Sequence, residues 1–386
     1  MTVNPDLLDR VRDRLAERSA DLTPHQVALV LREEGRPVGD ATVLAVHAAL
    51  RRDVVGAGPL EPLLRTPGVT DVLVNGASQV FWDRGGGLEP VDVTFPDEAS
   101  LRRLAQRLAA LGGRRLDDAS PFVDLRLPDG TRFHAVLAPI ANPGTLVSLR
   151  IPAARPFSMA DLVEAGVLDD RSAALLADVV GARLAFLVSG GTGTGKTTLL
   201  RTLLGLVPAT ERLVVVEDAA ELRPSHPHVV SLEARPPNIE GKGEVTVRSL
   251  VRQALRMRPD RLVVGEVRGG EVVDLLGALN TGHEGGCGTL HANASTDVPA
   301  RVEALALAAG LGREAAHSQL AAAIDVVLHL ARRSDGSRHL RSVAVPQVEP
   351  DGLVRMTVAV DLPPGGAPRK GPGAALLRDR LERRGR

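Results

Sequence analysis

The 386 residues carry 47 Lys and Arg against 47 Asp and Glu, and a net charge of +0 argues against non-specific coating of nucleic acid, leaving only a local basic patch open. Aromatic residues make up 2%, with no Tyr and Trp82 as the one Trp, so platforms for stacking single-stranded bases are not expected, and a lone Cys287 excludes an internal disulfide or a cysteine-rich zinc site. The length suits two or three domains, and with no run approaching the ~18 apolar residues of a membrane span the chain is expected to be cytoplasmic unless a partner holds it at a membrane.

Residues 1–55 read as a helical extension. MTVNPDLLDRVRDRL has no apolar signal core, and Leu7, Leu8, Val11 and Leu15 recur at helical spacing. Thr23 predicts an N-cap with Pro24 in the first turn, and Asp40 a cap for a helix reaching about Arg52. Residues 56–150 change texture to short strands and turns. Val69–Gly76 reads as a strand, Gln79–Phe95 as a glycine-turned hairpin, Ala99–Leu111 as an amphipathic helix, and Pro121–Pro139 as a hairpin turning at Pro128-Asp129-Gly130. With LVSLRIP closing the unit, a small α+β domain with an antiparallel sheet is expected.

Residues 151–170 read as a linker with a short helix near Met159–Ala165. From 171 to 362, apolar runs alternate with helices: Leu184–Val188, Leu213–Val216, Val229–Leu232, Leu262–Val264, Gly288–His291 and Val326–Leu330. That alternation predicts an α/β domain with a mostly parallel sheet. The Gly- and Pro-rich tail, 363–386, is expected to be disordered or a short helix that forms only with a partner.

The stretch RLAFLVSGGTGTGKTT, Arg183 to Thr198, orders an apolar strand, a glycine loop and a helix continued by Leu199, Leu200, Leu203 and Leu204. Gly190, Gly195, Lys196 and Thr197 fill G-x-x-x-x-G-K-[ST] in the context a P-loop needs. Backbone N–H groups of such a loop wrap phosphates, helped by the helix N-terminus. Gly190, Gly191, Thr192, Gly193, Thr194, Gly195, Lys196, Thr197 and Thr198 are therefore the nucleotide-binding candidates. Lys196 would reach the β- and γ-phosphates and the Thr197 hydroxyl would ligate Mg²⁺.

Downstream, LVVVEDAAELRP ends an apolar strand in Glu217 and Asp218, at the edge where open α/β sheets hold ligands. Either carboxylate suits Mg²⁺ ligation through water or orientation of the attacking water; a solvated acidic turn explains them equally well. RPDRLVVGEVRGGE resembles a Walker-B strand with Gly265 where many P-loop proteins carry Asp, which leaves Glu266 as the natural general base. Arg268 suits nucleotide contact, a subunit brace or a structural ion pair. In TGHEGGCGTLHANA no further His or Cys completes a zinc site; Thr289 and His291 would instead approach the γ-phosphate, with His291 as its sensor. Arg248, Arg252 and Arg256 share one helix face after an N-cap at Thr246, read as a solvated basic face or a contact with a neighbouring acidic surface.

Taken together, GPLEPLL, TDVLVNG, FVDLRLPDGTRFHAV, LVSLRIP, EDAAELRP, RPPNIEGKGEVTVRSLVRQALRMRPDRLVVGEVRGGE and NTGHEGGCGTLHAN resemble, in order, the blocks of the type II and type IV secretion ATPases, most closely the Tad/Flp pilus branch of conjugal-transfer-associated ATPases. The resemblance spans about residues 50–330. It implies a RecA-like ATPase core with a smaller N-terminal α+β domain, ATP and Mg²⁺ as cofactors, and a homohexamer. Glu217, Asp218 and Glu221 fall in its acidic "Asp box", Glu266 in its atypical Walker B, and His283 and His291 in its "His box". Arg132 and Arg150 hold the positions of N-terminal-domain arginines that reach the phosphates. The implied partner is an inner-membrane platform protein of a pilus or secretion system, with the chain peripheral to that membrane. Family members usually carry a hydroxyl residue at the position of Gly288. Two other functions compete: a nucleotide-gated scaffold with little turnover, and a DNA-translocating RecA-like ATPase, the latter opposed by neutral charge and scarce aromatics.

Overall fold

Two sheets carry the fold of the computed structural model, one in each of the units into which the chain divides, Met1–Ala153 and Ala154–Arg386. The structure describes residues 10, 11, 14, 23–33, 39–54, 56–152, 156–237, 241–364 and 366–384. The helix expected from Leu7, Leu8, Val11 and Leu15 lies, apart from Arg10, Val11 and Arg14, outside them.

In the first unit, Thr23 Oγ1 accepts from Gln26 N at 3.3 Å and opens the helix Pro24–Glu33, which Asp40–Val54 follows. Strands β1 (Asp71–Asn75), β2 (Val80–Asp83), β3 (Leu88–Val91), β4 (Phe122–Arg126), β5 (Arg132–Val136) and β6 (Leu146–Arg150) form one antiparallel sheet in the order β3-β2-β1-β6-β5-β4. The Asp129 carboxylate accepts from Thr131 N at 2.9 Å and Gly130 takes φ +92°, so Pro128-Asp129-Gly130 turns the β4–β5 hairpin. Asp97 caps the helix Glu98–Leu111, which buries Leu101, Leu104, Ala105 and Leu108 in one core with Val72, Val74, Phe133 and Leu149.

The second unit holds β7 (Phe186–Gly190), β8 (Leu213–Glu217), β9 (Val229–Glu233), β10 (Arg261–Val267), β11 (Cys287–Leu290), β12 (Val326–Arg332), β13 (Arg338–Val348), β14 (Val354–Asp361) and β15 (Arg369–Lys370) in the order β15-β14-β13-β12-β7-β11-β10-β8-β9. From β12 to β9 every pairing is parallel; β13, β14 and β15 add an antiparallel flank. Alternate residues feed two cores: Val214, Val216 and Leu187 face one layer of helices, and Leu213, Val215 and Val188 the other. Continuous apolar runs are what a sheet covered on both faces requires. The P-loop strand β7 lies inside the sheet, between β12 and β11.

Two segments pack more closely than their sequences suggest. Residues 156–168 do more than connect: the helix Met159–Glu164 is closed by a Ser158–Asp161 capping box, and Leu162 and Leu168 enter the second unit's core. The described residues of the tail pack on the second unit. Its helix Ala374–Arg384 buries Leu377, while the Arg380 guanidinium donates to Asp325 O and, at 2.9 Å, to Pro346 O. Leu377, with partly buried Leu376 and Leu381, and the half-buried Arg380 anchor a segment whose composition alone suggests disorder.

Candidate nucleotide site at the P-loop

Strand β7 ends at Gly190 and the next helix starts at Lys196, so five residues must turn the chain without crowding the sheet edge. Gly190 takes φ +153°, and a Cβ there would come within 2.7 Å of Thr194 Oγ1. Gly193 and Gly195 take φ +70° and +94°, conformations that L side chains rarely adopt. Thr194 Oγ1 donates to Gly191 O at 2.9 Å, and the Arg332 guanidinium, from the end of β12, donates to Gly193 O at 3.0 Å. Thr192 is exposed at the tip, and Thr197 and Thr198 lie half-buried in the first helical turn. Among the described residues the Thr197 hydroxyl has no hydrogen-bond partner.

Lys196 is buried, and its ammonium donates to Gly190 O at 3.1 Å and Gly191 O at 2.9 Å. It also stands 3.4 Å from both ring nitrogens of His291. His291 Nε2 lies 2.5 Å from Glu266 Oε1, and Arg268 Nη2 lies 2.5 Å from Glu266 Oε2. Strand ends β7, β10 and β11 thus bring Lys196, Glu266, Arg268 and His291 into one group at the edge where parallel sheets hold ligands. Of the readings open for Arg268, the structure has the ion pair with Glu266.

The electrostatics of the group are interlocked. Burial is the largest influence on Glu266 and pushes its pKa up, but the Arg268 hydrogen bond and charge, with His291 and Lys196, leave it below the ordinary carboxylate value. Burial depresses His291, Lys196 adds to that, and the Glu266 carboxylate only partly opposes it. Burial likewise lowers Lys196 against the pull of Glu266. Glu266 is therefore ionised and His291 neutral near pH 7.

The acidic turn has a different geometry from a free pair of ligands. Glu217 is buried, and its carboxylate accepts from Glu221 N at 3.1 Å and from Leu222 N at 3.0 Å, which fixes the turn that follows β8. Its side chain lies across Gly265 on the neighbouring strand, where a Cβ would come within 2.8 Å of Glu217 Oε1. Asp218, the next residue, is exposed. Among the described residues no group of three or more His, Cys, Asp or Glu forms a metal cage. Mg²⁺ does not need one, because it takes one or two protein oxygens and fills its shell with phosphates and water. A hydroxyl at Thr197 and a carboxylate at Asp218 fit that donor chemistry.

Other expected residues fall elsewhere. Thr289 does not point towards phosphate; its hydroxyl is buried and donates to Gly265 O at 2.7 Å, tying β11 to β10. His283 precedes β11 and His291 follows it, so the strand separates the two histidines. Gly288 leaves room for the neighbouring strand: a Cβ there would come within 2.8 Å of Val264 O. Arg248 and Arg252 share the one carboxylate of Asp274, each at 2.7 Å, so the stripe is tied to the next helix and keeps most of its positive charge. Arg132 and Arg150 are cross-strand neighbours in the first unit, paired with Asp124 at 2.8 Å and Asp71 at 3.0 Å. Cys287 is buried with its thiol pushed up to about 12, so it is no nucleophile. Sequence reasoning missed Arg332, whose only signal was its place at the end of an apolar run.

Residues 53–356 match the family model of type II/IV secretion system proteins. A putative conjugal transfer protein of Mycobacterium tuberculosis is 59% identical over 314 residues, covering 80% of this chain and 89% of that protein. The conjugal transfer protein TrbB of Rhizobium radiobacter is 31% identical over 275 residues, covering 70% of this chain and 81% of that protein. Among solved structures, the Yersinia pseudotuberculosis ATPase DotB aligns at 18% identity with a TM-score of 0.54 over 79% of this chain and 80% of that chain, a likeness of fold.

Proposed function

Because the chain belongs to the type II/IV secretion system family, we propose that it is an ATP-hydrolysing motor, working as a homohexamer, that powers assembly or secretion by a Tad/type IV-like pilus or related system. Its partner in this reading is an inner-membrane platform protein, and the chain binds that membrane peripherally; among the described residues no helix is long and apolar enough to cross it. The observation that carries the hydrolytic part is the Lys196, His291, Glu266 and Arg268 group beside a glycine loop with two left-handed turns.

In this reading the loop amides and the Lys196 ammonium meet the β- and γ-phosphates. Thr197 with Asp218 would hold Mg²⁺, which would neutralise charge on the phosphate oxygens. Glu217 acts by holding the acidic turn beside Gly265. Glu266 takes a proton from the water that attacks the γ-phosphorus, while the bond to the β,γ-bridging oxygen breaks and ADP leaves with the electron pair. His291, neutral and carrying its proton on Nε2, donates to Glu266 and so orients the base while contacting Lys196. Phosphate arrival at Lys196 would draw the ammonium from His291, a route by which the loop senses nucleotide.

Lys196→Ala is expected to abolish nucleotide binding. Glu266→Gln should keep binding yet lower phosphate release at least about 100-fold, the low end of general-base contributions. Undiminished release in the Gln variant would remove Glu266 from that role. One observation favours the scaffold alternative: Arg268 and His291 both engage Glu266 and reduce its basicity. Nucleotide-dependent assembly without phosphate release would establish it. Neutral net charge and scarce aromatics leave the DNA-translocating reading with little support.

A further inference from the structure

On the sheet face lined by Leu187, Val327 and Ala344, the next step towards the strands' ligand-binding ends is polar on three adjacent strands. Ser189 of β7, His329 of β12 and Ser342 of β13 stand in register there, and all three are buried. Polar groups in such a place are costly unless paired, and each of these has a partner. Ser189 Oγ lies 2.9 Å from His329 Nδ1. The Asn293 backbone stands beside the same imidazole and holds its pKa up against burial. Ser342 Oγ lies 3.0 Å from Ser295 Oγ, also buried.

The partners are set by the chain's order. Ser189 immediately precedes Gly190, the first glycine of the P-loop. Asn293 and Ser295 follow His291 by two and four residues. A carbonyl can only accept, so a proton on Nε2 suits the Asn293 backbone, and the bare Nδ1 then accepts from the Ser189 hydroxyl. Burial lowers the imidazole pKa, in keeping with a neutral ring that uses both nitrogens. Asp297 Oδ2 accepts from Ala294 N at 3.1 Å, closing the segment on itself between the two anchors.

We propose that Ser189, His329 and the Asn293 carbonyl form a buried relay that fixes the His291 segment relative to the entry of the P-loop, with His329 as a positioning residue for the hydrolytic group. His329 touches neither nucleotide nor Glu266. It acts through Ser189 on one side and through the backbone leading back to His291 on the other. A residue that merely filled space would be apolar, as its neighbours Val327 and Leu187 are. The relay also supplies the stiffness a sensor needs, because His291 can respond to Lys196 only if its own backbone is held.

The kinetic part rests on the proposed ATPase reading, so the test includes a readout independent of turnover. The full-length protein is compared with His329→Leu, His329→Gln and Ser189→Ala by amide hydrogen exchange of residues 289–297 and by steady-state phosphate release. His329→Leu is expected to speed exchange in that segment and to lower kcat about tenfold, with the ADP dissociation constant within about twofold. His329→Gln keeps an N–H donor for Asn293 and should restore both protection and most of kcat. Ser189→Ala should speed exchange in the same segment and leave the helix Glu271–Leu279 unchanged. Unaltered exchange at 289–297 in His329→Leu, or in Ser189→Ala should the Leu variant not fold, overturns the relay. So does a Gln variant that matches Leu in exchange. Absence of phosphate release from the unmodified protein would overturn the ATPase reading, while the exchange comparison still decides the relay.

Discussion

Glu217 lies across Gly265. Strands β8 and β10 run parallel with Val216 beside Val264, so the next pair sets the Glu217 side chain against the bare α-carbon of Gly265. A Cβ at 265 would sit 2.8 Å from Glu217 Oε1 and 3.0 Å from its Cδ. The missing Walker-B aspartate is thus a steric consequence of the glutamate on the neighbouring strand. Installing it, as Gly265→Asp, is expected to destabilise the protein by about 1–3 kcal/mol through overpacking and like charge. The thermal midpoint should fall by roughly 2–4 °C per kcal/mol. Adding Glu217→Ala to Gly265→Asp should recover part of that loss, whereas independent sites would add.

The pH dependence of turnover follows from two shifted groups. Burial first, and Lys196 second, hold His291 below its ordinary 6.5. Protonating His291 would put a positive charge beside Glu266 and reduce its basicity further, so phosphate release is expected to be level from about pH 7 to 8 and to fall only below about 6.5. Stability moves the same way: below 6.5 the unfolded chain binds a proton that folded His291 resists, so this contribution is lost as pH falls. Arg268→Ala removes the strongest influence holding Glu266 down against burial, so the acid limb of the kcat profile should move to higher pH. A profile unchanged by both Arg268→Ala and His291→Asn would separate this group from the rate-limiting step.

What the sequence made legible was local. The P-loop order, the amphipathic helix near Ala99–Leu111, the Thr246-capped helix and the Pro128-Asp129-Gly130 turn are each written in neighbouring residues, and the structure has them. The relations that give Glu266 its surroundings are between strands, and strand order is not written in any one stretch. Thr289 was expected at the phosphate because it follows a glycine run; the alternation of a strand turned it towards β10 instead. The long β13–β14 pair was not anticipated, because HLRSVAVPQV mixes charge and proline into its alternation, and Pro346 hides a strand that is buried from Val343 to Pro346. Arg248 and Arg252 looked like a free basic face because Asp274 lies on another helix.

Arg261 opens β10 fully buried, with its Nε 2.7 Å from Glu211 Oε2 and Nη2 3.0 Å from Val180 O. Arg183 Nη1 also reaches Glu211 Oε1, at 3.1 Å. Removing one partner of such a pair leaves a charge that water cannot reach. Glu211→Gln is therefore expected to cost about 3 kcal/mol. Urea unfolding should show this as a lower midpoint with an unchanged m-value. Replacing both residues with apolar side chains, Arg261→Met with Glu211→Leu, should cost less than the single change, because the penalty lies in the unpaired charge and not in the loss of the bridge.

The P-loop is held from outside as well as by its glycines. Arg332 Nη2 donates to Gly193 O at 3.0 Å, and a Cβ on Gly193 would come within 2.9 Å of the same nitrogen. The arginine therefore stabilises the left-handed turn at 193 and occupies the space a side chain there would need. Arg332→Ala should loosen the loop while leaving its amides free to bind, raising the ADP dissociation constant about fivefold, as loss of one hydrogen bond worth roughly 1 kcal/mol predicts. Gly193→Ala should cost more, since it adds strain at φ +70° and displaces the guanidinium as well. In the double variant the steric part disappears and only the backbone strain remains. Titration calorimetry with ADP on the three variants separates these contributions: a loss in the double variant equal to the sum of the single changes would show that Arg332 and Gly193 do not share one interaction.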